Sequence, residues 1–263
     1  MKTARYASLT EPRTCYSRHG TMSGIEGDDS ALITLKQIAD VSFPTRWADF
    51  RLLAFECTKV NDKTKEKRVE TALAVILGDI HSSPPIVRIH SQCTTGEVFH
   101  SLRCDCHDQL HLALRVIAEE GAGVLLYEQQ EGRGIGLMEK LRAYELQDQG
   151  LDTIEANLRL GHAVDLRDYT LAVDVLRFLK IRELRLITNN PEKINAVLSS
   201  GIEIAERLSA DVPRDPHFAH YLVTKRDKLG HLSDRTAELL ITGEDPFRGT
   251  SQPKARAALD VAS

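Results

Sequence analysis

What this chain of 263 residues lacks narrows its function first. No stretch approaches the roughly 20 consecutive apolar residues that a membrane helix needs. The N-terminus also lacks the ordered basic, apolar and small-residue sections of a secretory signal. A soluble protein with a cytoplasmic address is therefore expected, without a membrane partner. Excess positive charge is missing too: 34 Lys and Arg stand against 38 Asp and Glu, a formal net charge of −4. That argues against a nucleic-acid coat, although local basic clusters remain able to hold a phosphorylated small molecule. Cysteine is scarce and odd in number, at positions 15, 57, 93, 104 and 106. Such a set is no disulfide framework.

What is present suits one sizeable α/β core or two small domains, with 42% hydrophobic and 27% charged residues. Residues 1–37 show little apolar periodicity and read as an extension of partly disordered character. The core is expected to begin near Ile38. Buried strands are expected over Ala72–Ile80 and Ile86–His90, separated by the Ser83-Pro-Pro85 turn. A helix over Gln109–Glu120, with Leu110, Leu114 and Ile117 on one face, stops at Gly121 before a strand at Val124–Tyr127. Helices follow at Leu137–Gln149, with Leu137, Leu141 and Tyr144 on one face, and at Leu171–Leu179. A strand at Leu184–Thr188, a helix from Pro191 to before Gly201 and a strand at Ile202–Glu206 complete the pattern. Alternation of this kind predicts an α/β fold: a mixed, largely parallel sheet covered by helices. The domain is expected to span 38–232, and 233–263 reads as a C-terminal tail.

The chemistry concentrates in one stretch. Cys93, Cys104 and Cys106 place two thiols two residues apart and a third ten intervening residues upstream. Soft thiolates suit zinc, whose catalytic sites commonly keep three protein ligands and an open fourth position. Two blander arrangements remain open: three reduced core cysteines, or a closed structural site completed by His90, His100 or His107. Paired C-x-x-C knuckles are absent, and a core of this size needs no metal to fold. Three thiolates on a zinc ion leave a net charge of −1, so the centre needs a carboxylate base or cationic help nearby. Asp105, Glu97 and Asp165 are candidates for the base, Arg103 and Arg133 for the positive field.

Here the residues resemble a family. His90-Ser-x-Cys-x-Thr-Gly with Ser101-Leu-Arg-Cys-Asp-Cys106 is similar to the zinc signature of GTP cyclohydrolase II. Gln129-x-Glu-Gly-Arg-x-Ile-Gly-Leu137, Arg142-Ala-Tyr-x-Leu-Gln-Asp-x-Gly150, Asp152-Thr-x-Glu-Ala-Asn157 and Leu186-x-Thr-Asn-Asn-Pro-x-Lys193 resemble further blocks in the family's order. His220-Tyr-Leu-x-Thr-Lys225 and Gly230-His-Leu232 complete the series. The likeness covers about residues 38 to 232. It implies hydrolysis of GTP with release of formate and pyrophosphate, giving a diaminopyrimidine ribosyl phosphate, the first step towards riboflavin. It also implies catalytic zinc, Mg²⁺ on the triphosphate and a homodimer. The short stretch ahead of the core implies a monofunctional form, without a dihydroxybutanone phosphate-forming domain.

Carried over residue by residue, the family's metal ligands fall on Cys93, Cys104 and Cys106. Its GTP contacts fall on Arg88, Ile89, His90, Ser91, Gln92, Gln109, Glu131, Gly132, Arg133, Thr153, Thr188 and Lys193. The proposed proton acceptor and nucleophile fall on Asp165 and Arg167, and the active-site tyrosine on Tyr144. Several placements agree with simple chemistry. The Glu131–Gly136 segment lies between a strand and a helix, where glycines let amides approach an anion. Glu131 is suited to reading guanine N–H groups, and Lys193 with Thr188 to meeting phosphate. The plainer alternatives are a βα turn, a solvated acid, a surface lysine, an exposed Asp165–Arg167 ion pair and a core tyrosine. Gln92, Glu97 and His107 depart from the usual Glu, Asp and small or basic residues, all close to the thiols. A divergent member with another product, or a non-catalytic zinc module, are the rival functions. A zinc deaminase is disfavoured, because the H-x-E and P-C-x-x-C elements are absent.

Overall fold

A computed structural model describes residues 30–61, 67–212 and 230–232. The expected extension up to residue 29, the tail from 233 and the block at 220–225 lie outside the described residues. Seven strands form one sheet: β1 (Ser30–Pro44), β2 (Asp49–Asn61), β3 (Lys67–Leu77), β4 (Ile86–Ser91), β5 (Gly123–Glu128), β6 (Glu183–Ile187) and β7 (Glu203–Leu208). Their order is β1-β2-β3-β5-β4-β6-β7. The pairings from β1 to β5 are antiparallel, and those of β5 with β4, β4 with β6 and β6 with β7 are parallel. The expected mixed α/β sheet is present, with its parallel half confined to β5, β4, β6 and β7.

The two antiparallel strands β1 and β2 were not expected from periodicity. Strand β1 starts at Ser30, ahead of Ile38, and its side chains from Lys36 to Pro44 are exposed. An edge strand that buries little carries no apolar alternation. Strand β2 does carry one, since Leu53, Phe55 and Cys57 are buried on one face.

Helices cover both faces of the sheet. On one face α2 (Cys106–Glu120) packs Ala113 and Ile117 against Phe50, Val75, Ile86 and Leu125. On the other, α5 (Thr170–Phe178) and α6 (Pro191–Ser199) pack Leu171, Val175, Leu176 and Val197 against Val87, Ile89, Val124 and Leu126. Full burial of each such aliphatic side chain contributes about 1.5–3 kcal/mol. The local signals work as expected: Gly121 caps α2 at φ 79°, and Pro191 starts α6 behind the Asn190 cap. Between these lie α1 (Thr94–Glu97), a 3₁₀ turn (Glu131–Gly134), α3 (Leu137–Asp148) and α4 (Thr153–Arg159). No helix among the described residues is long and apolar enough to cross a membrane.

The parallel strands aim the site. The chain leaves β4 into Gln92 and Cys93, β5 into the Glu131 turn, and β6 into Thr188 and Asn189. Carboxyl ends of parallel strands open a crevice, which is where α/β sheets bind ligands.

Candidate active site

The three thiols are brought together by two helix starts. Cys93 precedes α1, while Cys104 and Cys106 sit where α2 begins. Their sulfurs lie within 4.8 Å of one another, with Cys93 Sγ 3.6 Å from Cys104 Sγ. Zinc–sulfur bonds of about 2.3 Å at tetrahedral angles require sulfurs about 3.8 Å apart. The residues therefore fit a zinc ion. Ionisation argues likewise. Hydrogen bonds from Cys104 and Cys106, joined by Lys140, hold the Cys93 thiol far below the usual thiol range. Cys104 is pushed up to about 11: the Cys106 hydrogen bond pulls it down, but the bond to Cys93, burial and the Cys93 charge prevail. Cys106 rises well above its ordinary value through its hydrogen bonds to Cys104 and Cys93. Three touching thiols ionise together only around a cation.

No histidine joins this group among the described residues. His90 is buried and its Nε2 lies 2.9 Å from Glu97 Oε1; burial pushes it down to about 4, so its ring is neutral. His107 packs instead against His100 and His111, at ring-centroid distances of 4.1 and 3.9 Å. Among the described residues, no fourth His, Cys, Asp or Glu side chain thus joins the three thiols. Glu97 faces the scaffold: its carboxylate accepts from the Cys93 N–H at 2.9 Å and from the Tyr127 hydroxyl at 2.6 Å.

Beside the thiols lies a cleft enclosing about 1080 Å³, solvent at its mouth included. Among the described residues its walls carry six cations, Arg88, Arg103, Arg133, Lys140, Arg167 and Lys193, against one carboxylate, Glu131. The chain as a whole is acidic, so this concentration is local. Arg88 is buried and donates to Ile187 O at 3.1 Å and to Gln109 Oε1 at 2.6 Å; Gln109 in turn donates to Asp105 at 2.7 Å. Burial lowers the Arg88 guanidinium only to about 10, so it stays charged. Lys193 is buried too, donating to Ile89 O at 2.8 Å, and is no surface lysine.

Most of the expected contacts meet in this cleft: Arg88, His90, Ser91, Gln92, Gln109, Glu131, Gly132, Arg133, Thr153, Thr188 and Lys193 line it, as do Tyr144 and Arg167. Ile89 does not. Strand alternation turns its side chain into the apolar core, and only its carbonyl reaches towards the site, through Lys193. Asp165 stands behind Arg167, whose Nε and Nη2 donate to its two oxygens at 2.9 and 2.5 Å. Burial would raise the Asp165 carboxyl, but the Arg167 hydrogen bonds and charge hold it below its ordinary value. None of the expected metal-side bases, Asp105, Glu97 or Asp165, lines the cleft.

The expected apolar face of α3 is also corrected. Leu141 is 40% exposed, and the inward residues are Lys140, Ala143, Tyr144 and Gln147. They follow i, i+3, i+4, i+7 spacing, but the surface they face is a polar cleft, not a core. Tyr144 lies 3.3 Å from Thr95 Oγ1 and under the Arg103 guanidinium. Burial pushes its phenol up to about 12 despite Lys140, so it keeps its proton at neutral pH.

A family model described as GTP cyclohydrolase II matches residues 36–209. The chain belongs to the GTP cyclohydrolase II family. A GTP cyclohydrolase-2 of Enterobacter sp. (strain 638) is 49% identical over 199 residues, 75% of this chain and 97% of the relative. One from Escherichia coli O9:H4 (strain HS) is 48% identical over 202 residues, 76% of this chain and 99% of the relative. A solved two-domain 3,4-dihydroxy-2-butanone 4-phosphate synthase from A. baumannii covers 66% of this chain and 39% of its own. At 16% identity and a TM-score of 0.35, that likeness is too slight to bear on the fold.

In this GTP cyclohydrolase II family member the structure adds site residues that spacing did not single out. Lys140 reaches Cys93 Sγ at 3.0 Å and Glu131 Oε1 at 2.8 Å. Gly96 leaves room for the sulfurs, since a Cβ there would lie 2.8 Å from Cys104 Sγ. Asn157 and Gln147 line the cleft from α4 and α3, and His231 from the segment whose Leu232 N–H bonds Asn189 O at 2.8 Å. For Asn157 a signal existed: Asp152-x-x-Glu155 is a capping box that announces α4.

Proposed function

We propose that this protein hydrolyses GTP, opening the imidazole ring, releasing C8 as formate and removing pyrophosphate. The product is 2,5-diamino-6-hydroxy-4-(5-phosphoribosylamino)pyrimidine, which enters riboflavin biosynthesis. The observation that carries this reading is the meeting of three thiols and six cations in one cleft of an otherwise acidic chain. A polyanion that must also present a reacting ring to a metal is the ligand such walls complement.

Zinc on Cys93, Cys104 and Cys106 would supply a Lewis acid that raises the acidity of water. The chain's residues do the rest. Arg88, Arg133 and Lys193 hold the triphosphate, together with Mg²⁺ brought in by the nucleotide. The Thr188 hydroxyl, at the end of β6, joins them. Glu131 accepts from Thr94 N–H at 2.6 Å, Gly132 N–H at 3.0 Å and Lys140. A carboxylate has about four acceptor sites, so one remains for a guanine N–H and a second guanine contact displaces one of these partners. The Tyr144 phenol donates a proton to the opening ring.

Arg167 supports two roles. Family resemblance makes it a nucleophile with Asp165 as its proton acceptor. The bidentate pair, and an Asp165 held in its charged form, favour Arg167 as a fixed cation against phosphate instead. An intermediate trapped on Arg167 and seen by mass spectrometry decides for the nucleophile.

The test is incubation with GTP, Mg²⁺ and Zn²⁺, following formate, pyrophosphate and the pyrimidine by mass spectrometry. All three products are expected. A zinc-loaded protein that releases no formate overturns the proposal, and formate without pyrophosphate assigns a divergent reaction. The homodimer that the family implies is checked by sedimentation.

A further inference from the structure

We infer that Lys140 is the built-in counter-cation of the three-thiol centre, a positioning residue whose ammonium offsets the charge of the sulfurs and so sets the Lewis acidity of the metal they hold. The inference rests on the zinc reading above. Its basis is the placement of one largely buried charge. Lys140 Nζ lies 3.0 Å from Cys93 Sγ and 2.8 Å from Glu131 Oε1. The side chains of Lys140 and Glu131 are only 13% and 9% exposed.

Burying an ammonium and a carboxylate is costly, and an apolar pair of similar volume would pack as well. Packing therefore does not explain the pair. Charge does: three thiolates around Zn²⁺ would carry −1, and an ammonium in contact with both Cys93 Sγ and the Glu131 carboxylate offsets part of the charge of each. An N–H donated to a ligand sulfur also withdraws electron density from it, as outer partners of metal ligands do. Glu131 fixes the lysine. Its carboxylate is itself held by the Thr94 N–H, next to Cys93, and by the Gly132 N–H. Gly132 makes room for the arrangement, because a Cβ there would lie 3.1 Å from Lys140 Cβ. The ammonium is thus tied at both ends to the segment that begins at Cys93.

The experiment uses the whole protein loaded with Co²⁺ in place of zinc, as parent, Lys140→Met, Lys140→Gln and Lys140→Arg. The thiolate-to-cobalt charge-transfer band is the direct readout. Without the N–H···S bond the sulfurs become better electron donors, so the band moves to longer wavelength in Lys140→Met and Lys140→Gln. Lys140→Arg, which keeps the charge, restores it. In the zinc enzyme the acid limb of kcat against pH moves up by about one unit in the two neutral variants, a tenfold loss on that limb. Unchanged bands and limbs in a folded neutral variant overturn the inference; Lys140→Gln serves if Lys140→Met does not fold. Absence of any thiolate band in the parent overturns the zinc reading itself and the inference with it.

Discussion

Gly96 faces Cys104 so closely that a Cβ would stand 2.8 Å from its sulfur and 3.2 Å from that of Cys93. The glycine is there for space, since its backbone is helical and not left-handed. Gly96→Ala is expected to push the sulfurs apart and weaken zinc binding at least about tenfold, or 1.4 kcal/mol. Competition with a chromophoric chelator measures this. An unchanged affinity shows that the sulfurs yield without loss.

Removing one sulfur has a larger effect. Cys104→Ser is expected to lower zinc from about one ion per chain to a small fraction, because hard hydroxyl oxygen replaces soft thiolate. Far-UV circular dichroism stays the same, since two apolar clusters hold the sheet independently of the metal. Atomic absorption after dialysis reads the loss. A chain that unfolds instead assigns the metal a structural role.

Glu128 ends β5 in full burial. Burial pushes its carboxyl up to about 7, against the pull of Lys193. In the unfolded chain it ionises near 4.5, so the folded state binds the extra proton between these values. Stability from this group is present below about 4.5 and lost as pH rises through 7, on the order of 3 kcal/mol. Glu128→Gln is therefore expected to melt higher than the parent at pH 8, with the gap closing towards pH 4.5. Calorimetry across this range tests it; a gap independent of pH refutes it.

The helix α4 presents Thr153 and Asn157 to the cleft from behind its cap. Asp152 accepts from the Ile154 and Glu155 N–H groups at 2.8 and 2.9 Å, and Glu155 returns a bond to Asp152 N–H at 3.0 Å. Asp152→Ala is expected to cost about 1 kcal/mol and to raise KM for GTP more than it lowers kcat. Asp152→Asn, an equally good cap, keeps both stability and KM. Loss of kcat alone in Asp152→Ala speaks against a binding role for this helix.

Much of the site was legible because its residues cluster in the chain. The thiols fall within one stretch, and the Glu131 and Thr188 segments sit between periodic elements, where turns are expected. Lys140 was not legible, because its helix buries a polar face on a cleft and so lacks the apolar stripe that betrays an inward side. The Ile89 side chain lies away from the cleft for a different reason: a contiguous motif crosses a strand, and alternate residues of a strand face opposite ways. The edge strand β1 buries too little to leave a pattern.

The sequence by itself determined the alternation of strands and helices, the Gly121 cap, the helix start at Pro191, and the thiol set of Cys93, Cys104 and Cys106. These depend on local backbone preference and on ligand chemistry, which neighbouring residues carry. Only the tertiary structure decided which charges meet. Lys140 and Cys93 are separated by 47 residues, and Arg88 and Ile187 by 99. Their contacts arise because parallel strands bring distant segments to one sheet edge, a relation that no local spacing encodes.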